Sequence, residues 1–275
     1  MPTPRFPNSV CPELVEGPSF FRSARKKDGP STSSGQTGWG LAACFLLLAA
    51  CDSGANPLAN VQAEREPGPF PSADRPVAQI ISSRWSTEEA RDRLNEAEEV
   101  MDRAGIKPGM TVADIGAGEG YYTVRLAQRV GADGRVLAED IVPEVRDMLA
   151  TRVDRERLDN VSVRLGEPED PMLPESSFDR IFMVHMYHEV EQPYEFLWHM
   201  RPSLKPEGLV IVVDANRETQ NHGTPPALLD CEMRAVGYIR AEFQPMPSAG
   251  GYLAAYRTQG PRPEPGAIKP CRLQR

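Results

Sequence analysis

The sequence predicts a single α/β domain with a doubly wound sheet of about seven strands, and three observations support this. Strand and helix patterns alternate between residues 86 and 257, as expected of a doubly wound sheet. The run at residues 209–213 is continuously apolar and mostly β-branched, which is typical of a central strand buried on both faces. Prolines concentrate towards both ends of the chain, where they oppose packed structure and indicate tails.

Each element has its own local signal. Ser86-Thr-Glu-Glu89 has a capping-box pattern and predicts a helix that runs to Ala104, with Leu94 in its apolar stripe. Pro143 suits the first turn of a helix. In chain order, the other predicted elements are a strand at 111–115, a helix at 121–130, a strand at 135–139, a helix from Pro143, strands at 161–165 and 180–185, a helix at 194–203, a strand at 209–213, a helix at 226–236, and closing strands at 239–243 and 251–256.

Charge and cysteine content exclude several classes of protein. The chain has 31 Lys and Arg against 39 Asp and Glu, a net charge of −8, and the acidic excess lies after residue 50. Binding to nucleic acid or to anionic lipid needs clustered Lys and Arg, so we expect a small-molecule partner and no nucleic acid. The chain contains no Cys-x-x-Cys pair, which argues against a structural zinc site.

The N-terminal region has the layout of an export signal. Basic residues precede a short apolar run that ends in Leu48-Ala49-Ala50-Cys51, and this order is typical of signal peptides. The last four residues resemble the lipobox of bacterial lipoproteins, in which the Cys is lipidated. The resemblance implies export, with the membrane reached only through a lipid anchor at Cys51 on the periplasmic face of a bacterial membrane; the alternative location is cytoplasmic.

These observations give a domain plan. Residues 1–50 are a signal peptide or a spurious extension, 51–85 a flexible linker, 86–257 the folded domain and 258–275 a disordered tail. A mature chain that starts at Cys51 retains Cys231 and Cys271. Two cysteines in an exported protein can pair, but their spacing does not decide whether these do.

A glycine-rich turn is the most informative motif. Asp114-Ile-Gly116-Ala-Gly118-Glu-Gly120 stands between the first predicted strand and its helix. Glycines let the backbone turn tightly and approach a ligand closely, and the helix start that follows presents free N–H groups. The spacing is GxGxG, not the GxGxxG of nicotinamide-binding sheets. Asp114 lies two residues before the first glycine, where a carboxylate suits an ammonium group and repels a pyrophosphate.

These residues resemble the first motif of the class I S-adenosylmethionine-dependent methyltransferases, which have a Rossmann-like fold. The resemblance implies S-adenosylmethionine as cofactor, held by Asp114, Gly116, Gly118 and Gly120. It extends to Asp140, the position that in this family binds both ribose hydroxyls, and to Gly166-Glu167, the position that reaches the adenine amino group. Pro168 departs from the family pattern because it has no N–H for the adenine ring. Two later segments also match, Leu173–Asp179 and Lys205–Gly208.

The segment after the fourth predicted strand is the expected acceptor site, because ligands bind outside the carboxyl ends of strands in open α/β sheets. Here His188 is the predicted general base and Tyr187 is predicted to orient the acceptor. A base is needed only where the nucleophile must lose a proton. His185 and His222 are the predicted substrate-binding residues. His185, His188 and Glu189 form a conceivable metal cluster, but His-x-x-His at a strand end has no established ligand geometry, so we expect no metal.

Three functions remain open at this point. The first is a methyltransferase for an unidentified, small-molecule acceptor. The second is a non-catalytic lipoprotein module that binds S-adenosylmethionine, which the export signal favours because this cofactor is made and used in the cytoplasm. The third is a nicotinamide-dependent oxidoreductase, which the GxGxG spacing and Asp114 oppose. The oligomeric state is not indicated.

Overall fold

The computed structural model describes residues 68–80 and 86–272 of the 275-residue chain. The predicted signal peptide and Cys51 lie outside these residues. Seven strands are present in the described part: β1 Thr111–Ile115, β2 Arg135–Asp140, β3 Val161–Leu165, β4 Phe178–Val184, β5 Leu204–Asp214, β6 Tyr238–Met246 and β7 Gly251–Thr258. The helices are α1 Glu88–Arg93, α2 Glu96–Arg103, α3 Tyr121–Val130, α4 Pro143–Glu156, α5 Pro193–Met200 and α6 Pro226–Ala235.

The strands form one mixed sheet in the order β3-β2-β1-β4-β5-β7-β6. The first five pair in parallel, and β7 runs antiparallel between β5 and β6. This topology confirms the predicted doubly wound α/β sheet. The chain winds outwards from β1 through β2 to β3, and then from β4 in the opposite direction. The crevice outside the carboxyl ends of β1 and β4 is therefore the expected ligand site of such a sheet.

The hydrophobic core lies on both faces of the sheet because the central strands are buried on both sides. Successive side chains of β5 alternate between the two faces, with Val210 and Val212 on one and Ile211 and Val213 on the other. Helices α5 and α6 cover the first face, and α2 and α3 cover the second. The strand at 209–213 is thus a central one, as its unbroken apolar run predicts.

The prediction of one continuous helix from Ser86 to Ala104 is wrong. Residues 86–104 form two helices, because Asn95 adopts a left-handed conformation (φ 55°) that no continuous α-helix contains. The N-cap is Thr87, whose hydroxyl accepts the N–H of Ala90 at 3.3 Å, so the predicted capping box does not form. Leu94 lies at the break and is 58% exposed, whereas Val100 and Met101 of the same predicted stripe are buried.

Residues 68–80, which we call the strap, pack on the domain, so the prediction of a flexible linker at 51–85 is wrong for them. Arg75 is buried, and its Nε lies 2.9 Å from Oε1 of Glu232 in α6. Its guanidinium also donates to the carbonyl of Val190 at 3.0 Å. The N–H of Ala78 donates to the carbonyl of His188 at 3.2 Å. One buried arginine therefore fixes a segment that its proline content assigned to a linker.

Residues 259–272, which we call the tail, also pack on the domain, so the prediction of a disordered tail is wrong as far as Arg272. The indole N–H of Trp198 donates to the carbonyl of Pro263 at 2.8 Å. Ile268 is buried, and Cys271 forms a disulfide with Cys231 of α6. Proline lacks a backbone donor but keeps its carbonyl, so a proline-rich segment can dock through carbonyls and side chains.

Candidate functional site

The glycine turn connects β1 to α3 at the sheet edge where the strand order reverses. Gly116, Gly118 and Gly120 have φ angles of 64°, 57° and 88°, a region that favours glycine. Two of them are also closely packed. A Cβ at Gly120 would lie 2.5 Å from Cδ1 of Leu149 in α4, and one at Gly116 would lie 3.1 Å from the side chain of Met186. The turn therefore contacts both α4 and the segment that follows β4.

Asp140, the last residue of β2, faces this turn. Its Oδ2 accepts the N–H of Gly118 and its Oδ1 accepts the N–H of Val142, both at 3.0 Å. Each carboxylate oxygen has two lone pairs, so Asp140 keeps capacity to accept further hydrogen bonds. The structure thus brings Asp140 and the predicted glycines together across two neighbouring strands.

Glu139 lies beside Asp140 and is buried. Its Oε2 is 3.5 Å from the N–H of Gly116, and its Oε1 has no hydrogen-bond partner among the described residues. A Cβ at Gly166, which follows β3, would lie 1.8 Å from that Oε1. A side chain at position 166 would therefore displace the carboxyl group of Glu139.

Burial of several carboxyl groups sets the electrostatics of this end of the site. Burial, together with the negative charge of Asp140, raises the pKa of Glu139 to about 8. Burial also raises the pKa of Asp114 to about 6 and shifts the pKa of Asp140 upward. A nearby positive charge stabilises the ionised form of these buried carboxyl groups, and a negative charge destabilises it. The site therefore favours a cationic ligand over a pyrophosphate.

Asp114 lies in β1 and is buried. Its carboxylate is almost fully buried and accepts the hydroxyl hydrogen of Thr123 in α3 at 2.6 Å. Glu167 is exposed, and its backbone pairs with that of Asp170 in an isolated antiparallel bridge. Gly166, not Glu167, is the residue of this predicted pair that touches the site.

His188 lies in the short 3₁₀ helix Tyr187–Glu189 that follows β4. It is 1% exposed, and its Nδ1 is 3.1 Å from both carboxylate oxygens of Asp214, the fully buried last residue of β5. Asp214 also accepts the hydroxyl of Thr224 at 2.7 Å and the N–H of Ala215 at 2.8 Å. A carboxylate only accepts hydrogen bonds, so Nδ1 of His188 carries the proton and the lone pair lies on Nε2.

Two further side chains lie near that nitrogen. Oε1 of Glu189 is 3.9 Å from Nε2 of His188, and the rings of His188 and His222 meet edge to face with centroids 5.4 Å apart. Burial raises the pKa of Glu189 to about 7. His222 lies in the loop between β5 and α6, so the structure brings together two of the predicted residues from different loops.

His185 does not join this group. It is buried with a left-handed backbone (φ 55°), and its Nε2 lies 3.9 Å from Oε1 of Glu96 in α2. Burial lowers its pKa to about 4, so the ring is neutral at physiological pH. The predicted substrate-binding residue His185 therefore packs below the site against a helix.

The prediction that Tyr187 orients an acceptor is wrong. Tyr187 is fully buried, and its hydroxyl donates to Oε2 of Glu232 at 2.8 Å. Arg75 of the strap contacts the same carboxylate. In a turn of 3₁₀ helix, successive side chains point in directions about 120° apart, so His188 and Tyr187 face different surroundings.

Asp214 and Thr224 are not among the residues predicted from the sequence. Asp214 carries a detectable signal, because it is the charged residue that ends an otherwise apolar central strand, at the carboxyl edge where ligands bind. Thr224 carries no comparable signal. Its role depends on a loop conformation in which Gly223 passes close to the carbonyl of Ala215.

Part of the chain is similar to known methyltransferases. Residues 113–212 match the family described as Methyltransferase domain. The chain is 27% identical to the protein-L-isoaspartate O-methyltransferase of Methanothrix thermoacetophila, over 41% of this chain and 51% of that protein. It is 30% identical to a ubiquinone/menaquinone biosynthesis C-methyltransferase of Hydrogenovibrio crunogenus, over 44% and 48%. The chain thus spans about half the length of these curated relatives.

A solved structure supports the fold over a larger share of the chain. A SAM-dependent methyltransferase from Aquifex aeolicus matches with a TM-score of 0.52 and 25% identity, over 62% of this chain and 97% of that one. Together with the family match, this supports an S-adenosylmethionine-dependent methyltransferase.

The residues present fit S-adenosylmethionine. The cofactor carries a sulfonium and an ammonium group, and both suit the acid-rich end of the site. The buried Oε1 of Glu139 lacks a partner among the described residues, and Asp140 retains acceptor capacity for hydroxyl groups. The described part of the chain therefore has the class I methyltransferase fold with S-adenosylmethionine as its cofactor, and residues 113–212 match the methyltransferase domain family.

Proposed function

We propose that this protein transfers the methyl group of S-adenosylmethionine to a small molecule that carries an ionisable hydroxyl group. One observation carries the proposal above all. The glycine turn with Asp140 and the buried His188–Asp214 pair stand at the carboxyl ends of neighbouring parallel strands, and Met186 joins them through its contact with Gly116. A cofactor end and an acceptor end thus lie side by side.

The cofactor end consists of the glycine turn and the acids around it. Gly116, Gly118 and Gly120 allow close approach of a ligand to the backbone, and Asp140 would accept the hydroxyl groups of a ribose. Asp114 and Glu139 would offset the positive charge of the cofactor. When bound, the cofactor supplies an electrophilic methyl group on a sulfonium, and the chain contributes position and exclusion of water.

The acceptor end consists of His188, His222 and Glu189. Asp214 fixes the ring of His188 so that Nε2 presents a lone pair, and a hydroxyl group is a suitable donor to it. The named activities of the relatives differ in the acceptor atom, since one is an O-methyltransferase and the other a C-methyltransferase. The imidazole nitrogens near the glycine turn support an oxygen acceptor for this chain.

Calorimetric titration with S-adenosylmethionine and with its demethylated product tests the cofactor. Transfer is then measured with methyl-labelled S-adenosylmethionine against matched small molecules that offer a phenol, an alcohol, a thiol, an amine or a carboxylate. Binding together with transfer to the hydroxyl compounds is expected. Binding without transfer to any class would favour the non-catalytic module, and absence of binding would reject both.

We further propose that the protein is exported and anchored through Cys51. The disulfide between Cys231 and Cys271 supports an oxidising compartment. Within the described ranges, no helix is both long enough and apolar enough to span a bilayer. Metabolic labelling with a palmitate analogue should tag the protein, and Cys51→Ser should abolish the tag. An unlabelled product that keeps the residues before Cys51 would reject the anchor.

A further inference from the structure

We propose that His188, Glu189 and His222 bind one divalent first-row transition-metal ion at the acceptor end of the site. Each residue offers one ligand atom, and these three atoms lie within 4.8 Å of one another. Two imidazoles and one carboxylate form a set that such ions commonly use, with positions left open for other ligands. The acceptor role of this ion rests on the proposed function, whereas its binding does not.

The ring of His188 is held in an orientation that suits a metal ligand. Histidine ligands of metals typically donate their other ring N–H to a carboxylate, which fixes the tautomer and the direction of the ring. Asp214 accepts from Nδ1 of His188 in this way, at 3.1 Å, and leaves Nε2 directed to the group. Asp214 is in turn held by Thr224 and Ala215, so two layers of contacts position one nitrogen.

His222 has a ring nitrogen without a hydrogen-bond partner among the described residues and an uncommon backbone conformation. Its Nδ1 is buried and has no hydrogen-bond partner in the part of the chain that the structure describes. A buried polar atom without a partner costs free energy. The residue also has a left-handed backbone (φ 57°), which is uncommon for a residue with a Cβ. The carbonyl of His222 accepts from Nε of Arg217 at 3.0 Å, which holds this conformation.

The three residues come from two separate segments of the chain that meet at the carboxyl edge of the sheet. The cluster that the sequence suggested, with His185, does not form, because that side chain faces Glu96. His222 takes its place from a loop more than 30 residues later in the chain. A group assembled from two loops at the carboxyl edge of the sheet is positioned where ligands bind. The ion would hold a hydroxyl oxygen of the acceptor next to the cofactor end, and His188 would then be a metal ligand and not the general base.

The test is direct metal binding by the full chain. After treatment with a chelator, the protein is titrated with Co²⁺, and binding is followed by calorimetry and by the visible absorption of the ion. One ion per chain is expected. Glu189→Gln and His222→Ala should each weaken binding at least tenfold, and Asp214→Asn by roughly 10–100-fold, as for loss of an outer partner. His199→Ala is the matched control, since His199 lies on α5 beside Asp170 and Glu195, outside the group.

Each variant is first checked by its affinity for S-adenosylmethionine, which also reports on folding. Absence of stoichiometric Co²⁺ binding would overturn the proposal, as would equal affinity in His222→Ala, Glu189→Gln and the native protein. If S-adenosylmethionine binds but Co²⁺ does not, this inference fails and the proposed function stands. If Co²⁺ binds but S-adenosylmethionine does not, the metal site stands and its role in methyl transfer is rejected.

Discussion

At the scale of single residues, Asp140 has two structural roles. It closes the glycine turn by accepting the N–H of Gly118 and opens α4 by accepting the N–H of Val142. Removal of such an acceptor leaves donors without a partner, which costs about 1–3 kcal/mol each. A carboxylate that already organises the turn is thus also positioned to contact hydroxyl groups of a ligand.

Asp140→Ala is expected to weaken binding of S-adenosylmethionine by roughly 10–100-fold, the equivalent of about 1–3 kcal/mol. Calorimetric titration measures the change. Glu144→Ala is the control, because Glu144 is an exposed acid in the first turn of the following helix and should leave the affinity unchanged. An affinity unchanged in the Asp140 variant would show that this carboxylate does not contact the cofactor.

Glu139 makes binding of a cationic cofactor depend on pH. Its pKa of about 8 means that it is mostly protonated at pH 7. A bound cation favours the carboxylate and so lowers this pKa, which releases a proton. Affinity should therefore rise as pH increases from about 7 to 8 and level off above the pKa of the free protein.

Titrations in two buffers of different ionisation enthalpy measure the released proton. In Glu139→Gln, which keeps the size but cannot ionise, the rise in affinity between pH 7 and 8 should disappear. Asp114 titrates lower, near pH 6, so it does not mask the effect. A native protein that releases no proton on binding would contradict this role of Glu139.

At the scale of elements, the strap holds the segment that carries His188. Arg75 contacts Glu232 of α6, the carbonyl of Tyr187 at the start of the 3₁₀ helix, and the carbonyl of Val190 directly after it. Both charged side chains are buried. A buried pair contributes less than its Coulomb attraction suggests, but loss of one partner leaves an uncompensated charge.

Arg75→Ala should lower the free energy of unfolding by about 3–5 kcal/mol, because Glu232 is then buried without its cation. Chemical denaturation measures this change. Arg234→Ala serves as control, since Arg234 lies on the same helix α6 and its side chain is 62% exposed; its effect should stay within about 0.5 kcal/mol. Equal stability of the two variants would show that the strap does not stabilise the domain.

The elements also show what a sequence can and cannot predict. The strands were predictable because burial on both faces leaves apolar runs such as Val-Ile-Val-Val, and the glycine turn because only glycine suits its backbone. The break at Asn95 was not, since an amphipathic stripe does not reveal one left-handed residue. Asp140 was found because the family resemblance assigns an acid to the end of β2. Thr224 depends on a loop conformation, and the strap depends on contacts between residues far apart in the chain.

At the scale of the whole molecule, the disulfide ties α6 to the tail. Cys231 and Cys271 are 40 residues apart, and a cross-link of this length restricts the unfolded chain. Cys271 also donates its N–H to the hydroxyl of Tyr194 in α5 at 2.6 Å. The tail is therefore fixed at the surface by one covalent bond and by several contacts.

Cys231→Ser should lower the free energy of unfolding by about 2–4 kcal/mol. Thermal unfolding with and without a thiol reductant measures it: reductant should destabilise the native protein but not the variant. The matched variant Cys271→Ser should behave alike, and the double variant should lose no more than either single one. A native protein insensitive to reductant would show that the bond contributes nothing.

The pairing of Arg75 with Glu232 has a consequence for biosynthesis. The strap is made early, but Glu232 is made 157 residues after Arg75, and closing so long a loop is entropically costly. A nascent chain that already contains the glycine turn and His188 still lacks Glu232. Arg75 therefore does not yet hold the segment that carries His188. The acceptor end of the site can therefore reach its final packing only after α6 has been synthesised.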